Sequence, residues 1–293
     1  MTICPILTNN TNKLKKKRIP NPHLEAEFLL SHILKKPREF ILAHPEKKLT
    51  KTQIKNYQLL ITRRLKGEPL AYIICCKQFY GLDLYVNKNV LIPRPETELM
   101  VDEALKFATC NPKHAIIIDV GTGSGCVIIS IAKKLSFGYP KLSFKYLASD
   151  ISKSALAVAR KNAKLHKVDR KIEFIQGNLL KPLLNILEIR NYNLVILANL
   201  PYLSPIQIKN SPTIKYEPKL ALSAGPDGLK YYRQLFKQIG QVANHQIQIT
   251  ILCEIDSSQT IKIKKLIKKE LPQSKIQIKK DLSGLNRMVK INI

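Results

Sequence analysis

Beyond residue 110, short and nearly unbroken apolar runs alternate with segments whose apolar residues recur at helical period. Ala115 to Val120, Phe144 to Ala148, Ile172 to Ile175, Asn193 to Ala198 and Gln248 to Glu254 predict strands. Val127 to Leu135 and Lys153 to His166 predict helices between them. That alternation predicts an α/β fold with a doubly wound, mostly parallel sheet. Lys275 to Lys279 and Arg287 to Ile293 are two further runs joined only by a loop, so an antiparallel C-terminal hairpin is expected. Lysine-rich Ile261 to Lys269 keeps apolar residues at 261, 263, 266 and 267 and predicts an amphipathic helix with a solvated face.

The first part of the chain has a different rhythm. His23 to Lys36 and Thr50 to Lys66 predict helices, the second with Ile54, Tyr57, Ile61 and Leu65 on one face. Pro37 and Pro45 punctuate between them. Residues 1–20, with the basic run Lys13 to Arg18, are expected to form a flexible basic tail. Residues 21–68 then form a small helical domain near the lower size limit for a stable core. Ala71 to Tyr80 and Leu82 to Val86, joined at Gly81, read as β-like runs and predict a hairpin connector over 69–92. The stretch "LIPRPETE" (91–98) stiffens the chain ahead of a helix starting near Thr97, and residues 93–293 form the main domain.

Composition narrows the function classes. A chain of 293 residues, 45% of them hydrophobic, can bury a large core and a small one. No apolar stretch approaches the ~20 residues of a membrane span, and no secretory-signal pattern follows the basic run. Six cysteines without CxxC spacing suggest free thiols in a reducing cytoplasm, with no zinc or other metal. The net charge of +28 invites a nucleic-acid reading, but only ten of the 49 basic residues are arginine, the better bidentate phosphate ligand. Drift toward Lys, Ile and Asn explains the charge at least as well. Incidental nucleic-acid affinity is expected, a membrane role is not, and a monomer is expected because no spare apolar helix face stands out.

Candidate chemistry gathers at the predicted strand ends. "DVGTGSG" (119–125) sets Gly121, Gly123 and Gly125 between a strand and a helix, where missing Cβ atoms let the backbone approach a ligand. It is not a P-loop, since the Gly-Lys-Ser/Thr ending is missing. By itself it fits NAD, FAD or S-adenosylmethionine. Asp150 closes the next strand, where a carboxylate can accept both ribose hydroxyls of an adenosine cofactor or cap the following helix. Asn178, past the third strand, could bond an adenine edge. Past the fourth come Asn199, Leu200, Pro201 and Tyr202. The Asn199 amide oxygen and the Leu200 carbonyl could accept the two N–H groups of a planar nitrogen, with Pro201 stiffening the chain and Tyr202 offering a stacking face. A plain Asn-Leu-Pro turn is the alternative.

With the glycine loop upstream, this segment resembles class I methyltransferases that act on planar nitrogens. "GEPLAYI" (67–73), "FYGLDLYVNKNVLIPRPETE" (79–98), "SDIS" (149–152), "YEPKLALSAGPDGLKYYR" (216–233) and "DLSGLNR" (281–287) resemble the release-factor glutamine methyltransferase family, PrmC/HemK. The match runs in order from about residue 20 to the C-terminus. It implies a Rossmann-like sheet, S-adenosyl-L-methionine as cofactor, and methylation of the side-chain nitrogen of the Gly-Gly-Gln glutamine in peptide chain release factors, in support of translation termination in the cytoplasm. By position, Gly121, Thr122, Gly123, Ser124, Gly125, Asp150, Asn178, Leu179 and Asn199 would hold the cofactor. Asn199, Leu200, Pro201 and Tyr202 would hold the glutamine, and the helical domain would help recognise the release factor.

Two departures stand out: Leu200 replaces a proline, and Asn178 replaces an aspartate. Asn-Leu-Pro-Tyr is also similar to ribosomal RNA adenine methyltransferases, which keeps that alternative open, as does a non-catalytic RNA- or ribosome-binding role. The roles of Arg94 and Glu96 stay open.

Overall fold

The computed structural model of the protein describes residues 1–110, 115–139, 144–184, 193–211, 214–242 and 248–293. The chain divides into two compact units, Met1–Cys76 and Lys77–Ile293.

The first unit is helical. It comprises α1 (Ile3–Lys16), α2 (Pro22–Leu34), α3 (Arg38–Ala43), α4 (Lys51–Leu65) and α5 (Leu70–Ile74). Thr50 and Gln53 form a reciprocal cap that starts α4. Tyr57 is fully buried, and its hydroxyl donates to the Ala26 carbonyl at 3.0 Å. Glu27 is also buried, held by His23 at 2.7 Å and by Arg38.

Two expectations fail in this unit. Residues 1–20 are not a tail, because Ile3, Ile6, Leu7 and Leu14 of α1 are buried in the unit's core. Lys13, Lys15 and Lys16 occupy the last turn, where cations suit the helix dipole. Ala71 to Tyr80 is not one β run either. Pro69 leads into α5, Cys75 turns the chain in a left-handed conformation, and only β1 (Cys76–Phe79) is extended. Burial of Tyr72 and Ile73 outweighs their β-propensity.

The second unit opens with the hairpin of β1 and β2 (Leu82–Tyr85). It continues with α6 (Glu98–Cys110), β3 (Ala115–Val120), α7 (Cys126–Gly138), β4 (Phe144–Asp150), α8 (Lys153–Leu165), β5 (Ile172–Gln176) and β6 (Asn193–Ala198). There follow α9 (Pro205–Lys209), α10 (Lys230–Val242), β7 (Ile249–Glu254), α11 (Thr260–Glu270), β8 (Lys275–Lys280) and β9 (Asn286–Asn292).

Among the described residues, the main sheet runs β5-β4-β3-β6-β7-β9-β8, parallel except where β9 meets its two neighbours. The alternation of strand side chains explains why β3, β6 and β7 are largely apolar at successive positions. Ile116, Ile118, Val120, Leu194, Ile196, Ile249 and Ile251 enter one buried cluster. Ile117, Val195, Leu197 and Leu252 enter a second on the opposite face. On the first face, α10 buries Tyr232, Leu235, Phe236 and Ile239, and α11 buries Ile263, Leu266 and Ile267. The sheet's free edges are β5, where Arg160 donates to the Phe174 carbonyl at 2.8 Å, and lysine-bearing β8.

Strand order reverses between β3 and β6. Ligands in open α/β sheets bind outside the carboxyl ends of the strands at such a switch point.

Candidate active site

At that switch point lies an open cleft of about 1110 Å³, mouth included, lined entirely by residues of the second unit. One half of it belongs to the glycine loop after β3. Gly121, Gly123 and Gly125 all have positive φ. Gly125 sits at φ +80, and an added Cβ would also stand 2.7 Å from Ile129 Cδ1 and 3.2 Å from Ala159 Cβ. The loop is fastened to β4, with the Gly121 and Thr122 amides donating to the Ser149 carbonyl at 2.8 and 3.0 Å.

Asp150 ends β4 and lines the cleft. Its two oxygens are divided: Oδ2 accepts the Gly123 amide at 2.9 Å and Oδ1 the Ser152 amide at 2.8 Å. Capping of α8 falls instead to Ser152, whose hydroxyl accepts from the Ala155 amide. Each carboxylate oxygen of Asp150 keeps a second lone pair for a ligand hydroxyl. Burial raises its pKa above the usual carboxylate range. Asp119, buried beside it, accepts the Thr122 hydroxyl at 2.6 Å and is pushed up to about 7, chiefly by burial. Asn178 and Leu179, past β5, also line the cleft. Leu179 has φ +55, and its carbonyl accepts the Ser149 hydroxyl at 2.8 Å.

The other half starts at the end of β6. Asn199, Leu200 and Pro201 line the cleft. Asn199 Nδ2 donates to Thr97 Oγ1 at 3.0 Å, and that hydroxyl donates to Glu254 Oε2 at 2.6 Å. Leu200 is buried, with Cδ2 only 3.0 Å from where a Cβ on Gly121 would sit. The leucine thus packs against the glycine loop. Tyr202 stands apart from the others. Its ring packs on the core, its hydroxyl donates to Glu254 Oε1 at 3.3 Å, and its carbonyl accepts from Gln259 Nε2 at 2.9 Å. It does not line the cleft, so the expected stacking face is turned inward.

Two further stretches line the cleft: Pro93 and Arg94 ahead of α6, and Pro218, Leu220 and Ala221. They are tied together across 123 residues of sequence by Arg94 and Glu217, whose second oxygen accepts the Ile92 amide at 3.3 Å. Arg94 therefore belongs to the cleft, whereas Glu96 is exposed and outside it.

Sequence reasoning missed Asp119, Thr97, Glu217 and Glu254. Glu254 carried a readable signal, since it ends an apolar strand just as Asp150 does. Thr97 lies in the LIPRPETE stretch, but a threonine ahead of a helix reads as a cap. Among the described residues, no group of His, Cys, Asp and Glu could hold a metal ion, and no helix is long and apolar enough to cross a membrane.

With this geometry in place, comparisons with known proteins bear on it. Residues 6–74 match the PrmC N-terminal domain, and 111–276 match a methyltransferase domain family. The chain is 35% identical to a release factor glutamine methyltransferase of Dictyoglomus turgidum, over 96% of this chain and 94% of that protein. It is 36% identical to one from Coxiella burnetii, over 92% and 91%. A bifunctional methyltransferase of Rickettsia bellii is 32% identical over the whole chain, which spans 55% of that protein's length. The chain thus covers about half of the Rickettsia bifunctional relatives. The human Mettl16 catalytic domain, in complex with a MAT2A 3'UTR hairpin, superposes with a TM-score of 0.55 at 12% identity over 90% of each chain, which reports a shared fold.

Proposed function

We propose, because the chain belongs to the release factor glutamine methyltransferase family, that it methylates the side-chain nitrogen of a glutamine, using S-adenosyl-L-methionine. The substrate is the Gly-Gly-Gln loop of peptide chain release factors. One observation carries this reading: an asparagine amide tethered at Thr97 borders the same cleft as a glycine cradle with a two-armed aspartate.

The cleft's residues suit the cofactor. Side-chain-free backbone at Gly123 leaves room for a close approach, and Asp150 retains lone pairs for two ribose hydroxyls. Thr122 and Ser124 complete the loop, and Asn178 and Leu179 border the adenine end. When bound, the cofactor supplies an electrophilic methyl group on a sulfonium.

The rest of the chemistry is the protein's. An amide nitrogen is a weak nucleophile because its lone pair is delocalised. Asn199 Oδ1 and the Leu200 carbonyl accept its two N–H groups, fix its direction and favour the positive charge it gains on alkylation. Its proton turns acidic only then, so no prior general base is required. Pro201 stiffens this clamp, and Tyr202 anchors it from behind through Glu254.

In the same reading the helical unit helps recognise the release factor, and the protein acts as a cytoplasmic monomer. Arginine usage supports a protein substrate over RNA: Arg38, Arg63, Arg64, Arg94, Arg233 and Arg287 each pair with a carboxylate. The test is transfer of labelled methyl to a release factor and to the same factor with its loop glutamine changed to alanine. Label in the first alone is expected. Equal label in both, or label in ribosomal RNA instead, overturns the assignment.

A further inference from the structure

Asn199 is useful to a planar nitrogen only if its amide presents oxygen, not NH2, to the cleft. An amide side chain is nearly symmetric in shape, so its neighbours must choose the orientation. Resting on the proposed function, we infer that Thr97 and Glu254 are positioning residues that lock the Asn199 amide with nitrogen inward and oxygen toward the substrate.

The argument is a count of protons. A threonine hydroxyl has one proton to donate. That of Thr97 goes to Glu254 Oε2 at 2.6 Å, across 157 residues of sequence. Glu254 receives a second donor, the Tyr202 hydroxyl, on Oε1, so both oxygens of the ionised carboxylate act as acceptors; burial raises its pKa, while the Thr97 hydroxyl, Arg287 and the Tyr202 hydroxyl favour the charged form. Thr97 Oγ1 can then only accept from Asn199, and the atom of Asn199 that can donate is Nδ2, at 3.0 Å. Oδ1 is left as the amide's acceptor on the cleft side.

The relay is rigidly held at each member. Thr97 is 2% exposed and Glu254 3%. The Tyr232 hydroxyl gives its one proton to the Glu254 carbonyl and lies 3.3 Å from the Ala198 carbonyl immediately ahead of Asn199. The strand end bearing the carboxylate and the strand end bearing the amide are thereby pinned together. Neither Thr97 nor Glu254 need touch the substrate.

Thr97→Val keeps the shape and removes the hydroxyl, while Thr97→Ser keeps the hydroxyl. With methyl transfer to a release factor as readout, kcat/KM should fall on the order of 100-fold in Thr97→Val, the penalty for a misplaced reacting group. It should return to within about 3-fold of the parent in Thr97→Ser, since that hydroxyl can make the same two hydrogen bonds. Affinity for S-adenosylhomocysteine, by calorimetry, should be unchanged in both. Full turnover in Thr97→Val overturns the lock, and so does equal loss in both variants or a parallel loss of cofactor affinity.

A second readout does not depend on methylation. The Asn199 side-chain NH2 signals, assigned by their disappearance in Asn199→Ala, should exchange slowly with water in the parent and in Thr97→Ser. They should exchange fast in Thr97→Val, and unchanged protection there refutes the inference. A parent protein that labels no release factor sinks the proposed function alone, and exchange at Asn199 then decides the lock.

Discussion

Gly228 lies in the "SAGPDGLKYY" stretch, well away in sequence from the end of β6, yet it has no room for a side chain. It sits at φ +70, and an added Cβ would be 2.2 Å from Gln259 Nε2 and 2.3 Å from the Tyr202 carbonyl oxygen. Those two atoms are the partners of the 2.9 Å hydrogen bond that anchors the Asn199–Tyr202 segment. Neither yields easily. The oxygen is backbone, and Gln259 Oε1 is engaged with the Asp256 amide at 3.2 Å.

Gly228→Ala must therefore move the turn or the segment by about 1 Å, at an overpacking cost of about 1–3 kcal/mol. Left-handed backbone adds about 1–2 kcal/mol. Together these predict a Tm lower by about 5–15 °C for a unit of this size. Methyl transfer should drop on the order of 100-fold if the clamp shifts. Gly225→Ala is the control, because φ is +80 there but the nearest contact, Lys230 Cβ, is a comfortable 3.7 Å away. It carries the conformational cost without the collision. Thermal unfolding by circular dichroism and initial rates would be measured on both. If Gly228→Ala melts with Gly225→Ala and turns over like the parent, the packing argument is wrong.

Three other perturbations separate the halves of the cleft. Asn199→Ala should reduce methyl transfer by about 100-fold or more while S-adenosylhomocysteine still binds, and undiminished turnover would remove Asn199 from the chemistry. Asp150→Ala should weaken cofactor binding by about 10- to 100-fold, as loss of charge-assisted hydrogen bonds does, and an unchanged calorimetric Kd would contradict the ribose role. Asp119 holds its proton up to about 7 in the fold, against 3.8 for an ordinary aspartate, so its contribution to stability is complete below about 4 and lost as pH rises through 7. Asp119→Asn should accordingly gain in Tm on the parent between pH 4 and 8, and a gap that stays flat across that range would show that Asp119 ionises without strain.

How much of this was readable beforehand depended on whether a residue's role is local. Strands β3, β6 and β7 announced themselves because both sheet faces are covered, so that only Asp119, Thr250 and the end residues Asn193 and Glu254 interrupt the apolar runs. Helix α1 stayed hidden because its buried stripe at 3, 6, 7, 10 and 14 is broken by Asn10. Asn10 sits fully buried, with its Nδ2 donating to the Ile6 carbonyl at 2.8 Å. Lys13, Lys15 and Lys16 crowd its last turn and imitate a tail. In the cleft, Asp150, Asn178 and Asn199 were legible because each follows a strand. Thr97 and Glu217 were not, since their importance arises from contacts more than a hundred residues distant in sequence. Tyr202 was seen but misjudged, because nothing local says which way a ring turns.

The borders of the main sheet have a consequence for how the molecule behaves in company. A bare β edge is a template on which a second copy can add its own strand, and that is how many α/β proteins begin to aggregate. Here Arg160 occupies a carbonyl on β5, and β8 presents exposed Lys275 and Lys280 along the opposite rim, while Lys279 pairs with Glu103. Any chain arriving at that rim with the same lysines meets like charge before it meets a hydrogen bond. Like charge at that rim opposes edge-to-edge pairing of two copies.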